Sequence, residues 1–239
     1  MIRKTILRYI TFIIGLYFLS LGIVFIVTST LGTTPISSVN YLVTLHTPIS
    51  LGTATFLINV LLIIGQFWLI RAGHGTRKDR VEILLQLPFS RLFAIFIDLN
   101  MALAGSIEPT SYPMALALLG AGCIRQAVGV VLELKPNVAI MSAEGFVKYA
   151  ARRYNKDFGR LKVIFDVTLV SSALLLGLAC SGHIEGVREG TVIAALSTGF
   201  IVSFLSRHIF TRANLNRLTF HRLLHAHRHP IRHTHDAHL

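Results

Sequence analysis

The feature that most restricts this chain is a series of six apolar blocks, residues 9–28, 54–71, 81–104, 113–133, 162–180 and 190–206. A bilayer-spanning helix needs about 20 predominantly apolar residues. Within hydrocarbon the backbone has to satisfy its own hydrogen bonds, so blocks of this length read as helices. Composition points the same way, with 53% hydrophobic and only 14% charged residues where soluble domains carry about 25% charge. The expected class is an all-α membrane protein whose first partner is the lipid bilayer.

The basic residues set the expected orientation. All but Arg91, Arg125 and Arg188 of the 23 Lys and Arg fall at the amino terminus, in the connection after the second block, between the fourth and fifth, or in the tail. Alternate connections are nearly free of them. Basic loops stay in the cytoplasm, which predicts six crossings and a multi-pass protein of the cytoplasmic (inner) membrane with both termini inside. The net charge of +12 flanks apolar blocks instead of forming a stripe, so the anionic leaflet accounts for it and no nucleic-acid partner is expected. Cys123 and Cys180 are far apart inside apolar blocks, which implies neither a disulfide framework nor a redox motif.

Two connections are too apolar to be simple loops. Residues 36–47 and 138–151 each follow a proline, Pro35 and Pro136, and read as short re-entrant or interfacial helices. The sequence also repeats. Gly52, Asn59, Val60 and Leu62 align at constant spacing with Gly159, Asp166, Val167 and Leu169, while the closer spacing of the two prolines implies a short insertion upstream. Each half then holds three spans and one short helix. An odd number of spans turns the halves upside down relative to each other, as in many secondary transporters. The expected organisation is residues 1–104 and 105–208 as two inverted three-helix repeats, then a basic, His-rich cytoplasmic tail over 209–239.

Leu31-Gly32-Thr33-Thr34-Pro35 after the first span, Gly52-Thr53 opening the second, and Glu189-Gly190-Thr191 opening a last span that runs through Gly199-Phe200 give the chain a resemblance. It resembles the YczE/YyaS/YitT-like group of bacterial membrane proteins over residues 9–206. The resemblance implies the architecture above more than any activity.

Several polar residues interrupt the apolar blocks. Arg125 lies near the middle of the fourth span beside Gln126. An arginine there costs about 2.5–3.5 kcal/mol on insertion scales and calls for a partner; Asp166 and its repeat mate Asn59 are the first candidates, with Glu133 next. Arg125 serves either to bind an anion or to form a structural ion pair with Asp166. Arg91 and Asp98, seven residues apart, share one helical face, and Pro88 predicts a kink before them. Thr33, Thr34 and Ser37 surround the start of the first short helix, where free amides favour a polar or anionic group. In the second short helix, Glu144 and Lys148 have the spacing of a surface pair. The tail carries His225, His227, His229, His233 and His235, imidazoles that bind transition metals but match no closed site. No catalytic motif or cofactor fingerprint occurs, so no enzyme and no cofactor is expected. The function expected is secondary transport or export of a small polar, anionic solute, with an oligomer allowed. A non-transporting scaffold and a metal exporter or sensor using the tail are the alternatives.

Overall fold

The computed structural model describes residues 2–71, 75–136, 138–183 and 185–208. It contains eight helices among the described residues: α1 Ile2–Thr28, α2 Pro35–His46, α3 Leu51–Leu69, α4 Arg77–Ala104, α5 Tyr112–Leu134, α6 Ser142–Tyr154, α7 Phe158–Ser181 and α8 Glu189–His208. Five of them, α1, α3, α4, α5 and α7, are long and apolar enough to cross a membrane; the apolar stretch of α8, Glu189–Leu205, is shorter. Large apolar side chains such as Leu175, Leu196 and Phe200 stand 69–75% exposed, which suits a lipid solvent. The chain is an all-α, multi-pass membrane protein. The five tail histidines and the segment 209–239 lie outside the described residues, as does Asn137.

The helix ends follow local chemistry. Thr34 caps α2, its hydroxyl accepting from the Ser37 amide, and Pro35 occupies the first turn. Ser50 caps α3 and Asp157 caps α7 in the same manner. Thr76 and Asp79 form a capping box on α4, which runs through Pro88 as one helix. The second short helix departs from expectation, for α6 starts at Ser142 and not directly after Pro136. The intervening Val138 and Ala139 pack instead against a buried cluster of Phe12, Leu16, Phe93 and Met141. Burying them there keeps the chain extended until Met141.

That shift changes the register of the repeat. Pro35 and Ser142, Leu51 and Phe158, and Gly52 and Gly159 are all separated by the same number of residues, so the halves align from α2 through α3 without insertion. Pro35 and Pro136 are not equivalent.

The same register governs the centre of the molecule. Helices α1 and α5 cross antiparallel at glycines. A side chain at Gly15 would strike the backbone of Gly129, Leu132 and Glu133, and one at Gly122 would strike Gly22 and Ile26. Likewise Gly22 abuts Gln126 while Gly129 abuts Leu19. Each contact is the image of another under exchange of the halves, the signature of a two-fold axis through the crossing. Backbones approach this closely only where side chains are absent.

The remaining packing sorts the helices into two groups. In one, α4 lies on α1, α1 on α5, and α5 on α8. In the other, α2 lies on α7, α3 on α6, α2 on α3, and α6 on α7. Both groups take helices from both halves, and exchange of the halves maps each group onto itself. The groups meet chiefly along α3 and α4; the image of that contact, between α7 and α8, is at most slight among the described residues.

Candidate functional site between the helix groups

The two short helices carry the buried polar residues that sit where the groups meet. At α2, Thr33, Thr34, Ser37 and Ser38 are all at most 5% exposed. Their hydroxyls serve one another: Thr33 shares its one hydrogen between Ser38 (3.2 Å) and the Gly186 carbonyl (3.0 Å), Thr34 donates to Ser37 (2.9 Å), and Ser38 to the Thr34 carbonyl (2.9 Å). The loop before α2 is pinned to the start of α8. The Gly190 amide donates to the Leu31 carbonyl at 2.8 Å and the Thr33 amide to the Thr191 hydroxyl at 3.1 Å. Gly32 has φ +136 and a side chain there would run into Thr191, so only glycine fits. The two Gly-Thr motifs, 158 residues apart at Thr33 and Thr191, are thus one structural feature.

Two cavities open beside this junction. One of about 390 Å³ is lined by Val27, Thr28, Thr30, Tyr41, Met101 and Glu108 among others. The second, about 210 Å³, shares Val27, Thr30 and Tyr41 and adds Gly32, Glu185 and Arg188. Arg188 donates to the Thr30 carbonyl at 3.1 Å and lies 3.4 Å from Glu189. Glu185 is held by His46 at 2.9 Å and His183 at 2.8 Å. Burial and the Glu185 charge push the Tyr41 phenol above its usual pKa.

At α6, Gln66 and Gln86 exchange amide hydrogen bonds at 2.8 and 2.9 Å, and Gln66 also donates to the Ser142 carbonyl at 3.1 Å. Ser90 and Ser142 pair at 3.1 Å. The Glu133 carboxyl oxygen accepts from the Met141 amide at the entry to α6, with Glu144 nearby. The far end of α6 is bolted down by ion pairs Lys148–Glu82 (2.6 Å) and Arg152–Asp79 (2.9 Å). Arg153 donates to the terminal carbonyls of α3 at Trp68 and Leu69. Lys148 therefore pairs with Glu82 across helices and not with Glu144 on its own. Tyr149 is buried there, and its hydroxyl is pushed up by desolvation and by the charges of Glu82 and Asp79.

The residues singled out in the sequence do not converge. Arg125 lays its guanidinium over the Phe25 ring at 4.4 Å and donates to the Ala121 carbonyl at 3.2 Å. Asp166 is bound by Lys162 at 2.6 Å, one turn earlier on α7. The pair expected between them is absent because α5 and α7 belong to different helix groups. Arg125 adjoins the exposed Ile124, whereas the face of α1 that meets the other group carries Ile23 and Val27, clustered with Leu51 and Met141. Arg91 is exposed over Phe56 at 5.5 Å. Asp98, on the same face of α4, accepts from the Gly52 amide (2.7 Å) and the Ser50 hydroxyl (2.9 Å) at the start of α3. Asn59 and Gln126 each keep a buried atom, Nδ2 and Oε1, without a partner among the described residues. Only Thr33, Thr34 and Ser37 come together as expected. Sequence reading missed Tyr41, Glu185 and Gln66, whose one signal was polarity inside or beside an apolar stretch. No group of three metal-binding side chains occurs among the described residues.

A family model matches residues 6–207, nearly all of the helical part of the chain. The chain belongs to the family of unknown function DUF6198. No curated protein and no solved structure matches it. Membership in DUF6198 covers both halves of the repeat and stops where the tail begins.

Proposed function

We propose that this DUF6198 member is a secondary transporter or exporter of a small polar solute carrying an anionic group, in the cytoplasmic membrane with both termini inside. The orientation rests on the clustering of Lys and Arg in alternate connections. A relation to the YczE/YyaS/YitT-like group is part of the same reading and rests on the Gly-Thr motifs. The observation that carries the transport reading is the division into two helix groups, each two-fold symmetric and meeting chiefly along α3 and α4. An inverted repeat gives such a protein two equivalent ways to close, the geometric requirement for alternating access.

The solute site we assign lies at the α2 junction. There Gly32, Tyr41 and Arg188 line the smaller cavity, next to the start of α2 with the buried hydroxyls of Thr33, Thr34 and Ser37. Helix starts and arginine forks both favour anions. Purified protein should be screened by thermal unfolding against a panel of small organic and inorganic anions, with uptake into proteoliposomes as the second readout. A ligand of the native state must raise its apparent stability. Stabilisation should be lost in Thr33→Val and Arg188→Gln. If no member of a broad panel stabilises the protein or is taken up, transport is the wrong reading. A scaffold is the alternative; its expected tight Arg125–Asp166 pair does not occur here.

A further inference from the structure

The weak α7–α8 contact has an extensive image in α3–α4, and the two compare residue by residue. The register between α4 and α8 is fixed by their packing on the central pair. Phe89 lies on Phe12 at 4.8 Å, and Ala194 belongs to one buried cluster with Leu119, the image of Phe12. Ala94 is therefore the image of Gly199, and Asp98 the image of Ser203. From the register of α3 and α7, Ser50 is the image of Asp157 and Gly52 of Gly159.

The first of these contacts is made. Gly52 sits against the Ala94 carbonyl and the Asp98 carboxylate, leaving no room for a side chain. Asp98 accepts from the Gly52 amide at 2.7 Å and the Ser50 hydroxyl at 2.9 Å. The second is open. Gly159 has nothing near it but its own Asp157, Gly199 has no atom within 4 Å, and Asp157 and Ser203 are both exposed. Yet the residues for the contact are present. Glycine stands on both sides, and Asp157 with Ser203 reproduces Ser50 with Asp98, acid and hydroxyl exchanged. An unpacked glycine within α8 lowers helix stability relative to alanine, which a packed state would offset.

We infer that the protein has a second state, in which α8 closes onto the start of α7 through Gly159 and Gly199 with the Ser203 hydroxyl donating to Asp157, while Gly52 and Ser50 release Asp98. The two contacts lie at opposite ends of the molecule, since α3 starts after the α2 connection and α7 after the basic connection that follows α6. With the orientation proposed above, on which only the naming of sides rests, the formed α3–α4 contact lies toward the outside and the open α7–α8 pair toward the cytoplasm. The second state reverses both.

The test is disulfide trapping of the full chain in membranes, with Cys123 and Cys180 first replaced by serine. Asp157→Cys with Ser203→Cys should cross-link under copper–phenanthroline oxidation. Adding Asp98→Ala should raise the initial rate by roughly tenfold, the shift in population when a charge-assisted hydrogen bond is lost from one state. Gly199→Leu, which enters open space and should leave thermal stability unchanged, should suppress the cross-link. A Ser50→Cys/Asp98→Cys pair that cross-links while the 157/203 pair never does, in any background, overturns the proposal. So does a 157/203 cross-link indifferent to Gly199→Leu. A protein that cross-links as described but moves no solute would keep its two states and lose the transport reading. Uptake without the cross-link would do the reverse.

Discussion

At the residue scale, the arginine that stood out in the sequence is satisfied by neutral groups. Arg125 rests on an aromatic face and a backbone carbonyl, so Arg125→Ala should cost about 0.5–2 kcal/mol, the range of a cation–π contact. Removing one partner of a buried ion pair would cost about 3–5 kcal/mol, and a loss of that size in chemical unfolding would show a buried anion after all. The reciprocal amides are more demanding. Gln86→Leu leaves the oxygen of the fully buried Gln66 amide without its donor and should destabilise by about 1–3 kcal/mol. Gln66→Leu/Gln86→Leu should be milder than the sum of the single changes, because no amide is left without a partner; additivity in a double-mutant cycle would refute that coupling. Pattern alone found Arg125 because a charge in an apolar block is conspicuous. It undervalued Gln66 and Gln86, since only their partners show that they matter.

At the scale of elements, the glycines of α1 and α5 set how closely the central helices approach. Gly22 abuts the Gln126 backbone, so Gly22→Leu should prevent the crossing and lower the midpoint of thermal unfolding sharply. Gly120→Leu, on the same α5 but with nothing within 4 Å, is the matched control and should be near neutral. Equal effects would mean that helix propensity, not close approach, governs this pair. Helix positions were legible from apolar length and caps, with ends displaced by a few residues. The start of α6 was not legible: Pro136 signals a helix start locally, but burying Val138 and Ala139 against α1 and α4 keeps the following residues extended.

At the scale of the whole molecule, orientation is the next quantity to measure. In a Cys123→Ser/Cys180→Ser background, Thr76→Cys and Asn155→Cys should be protected from impermeant thiol reagents in intact cells, and Glu108→Cys should react. Strong external labelling of Asn155→Cys would invert the assignment. Deleting residues 221–239 should reduce retention on immobilised nickel and leave insertion intact; loss of insertion would give the tail a role in the fold. The sequence by itself determined the membrane class, the helices and the existence of a repeat, because each depends on chain-local quantities: apolar length, capping residues and spacing along one strand of polymer. Tertiary structure alone decided which helices form each group, that Thr33 meets Thr191, that Arg125 and Asp166 are apart, and that one of two equivalent contacts is open. Those depend on which surfaces meet across the chain. An inverted repeat offers two equivalent sets of such surfaces, and local sequence does not choose between them.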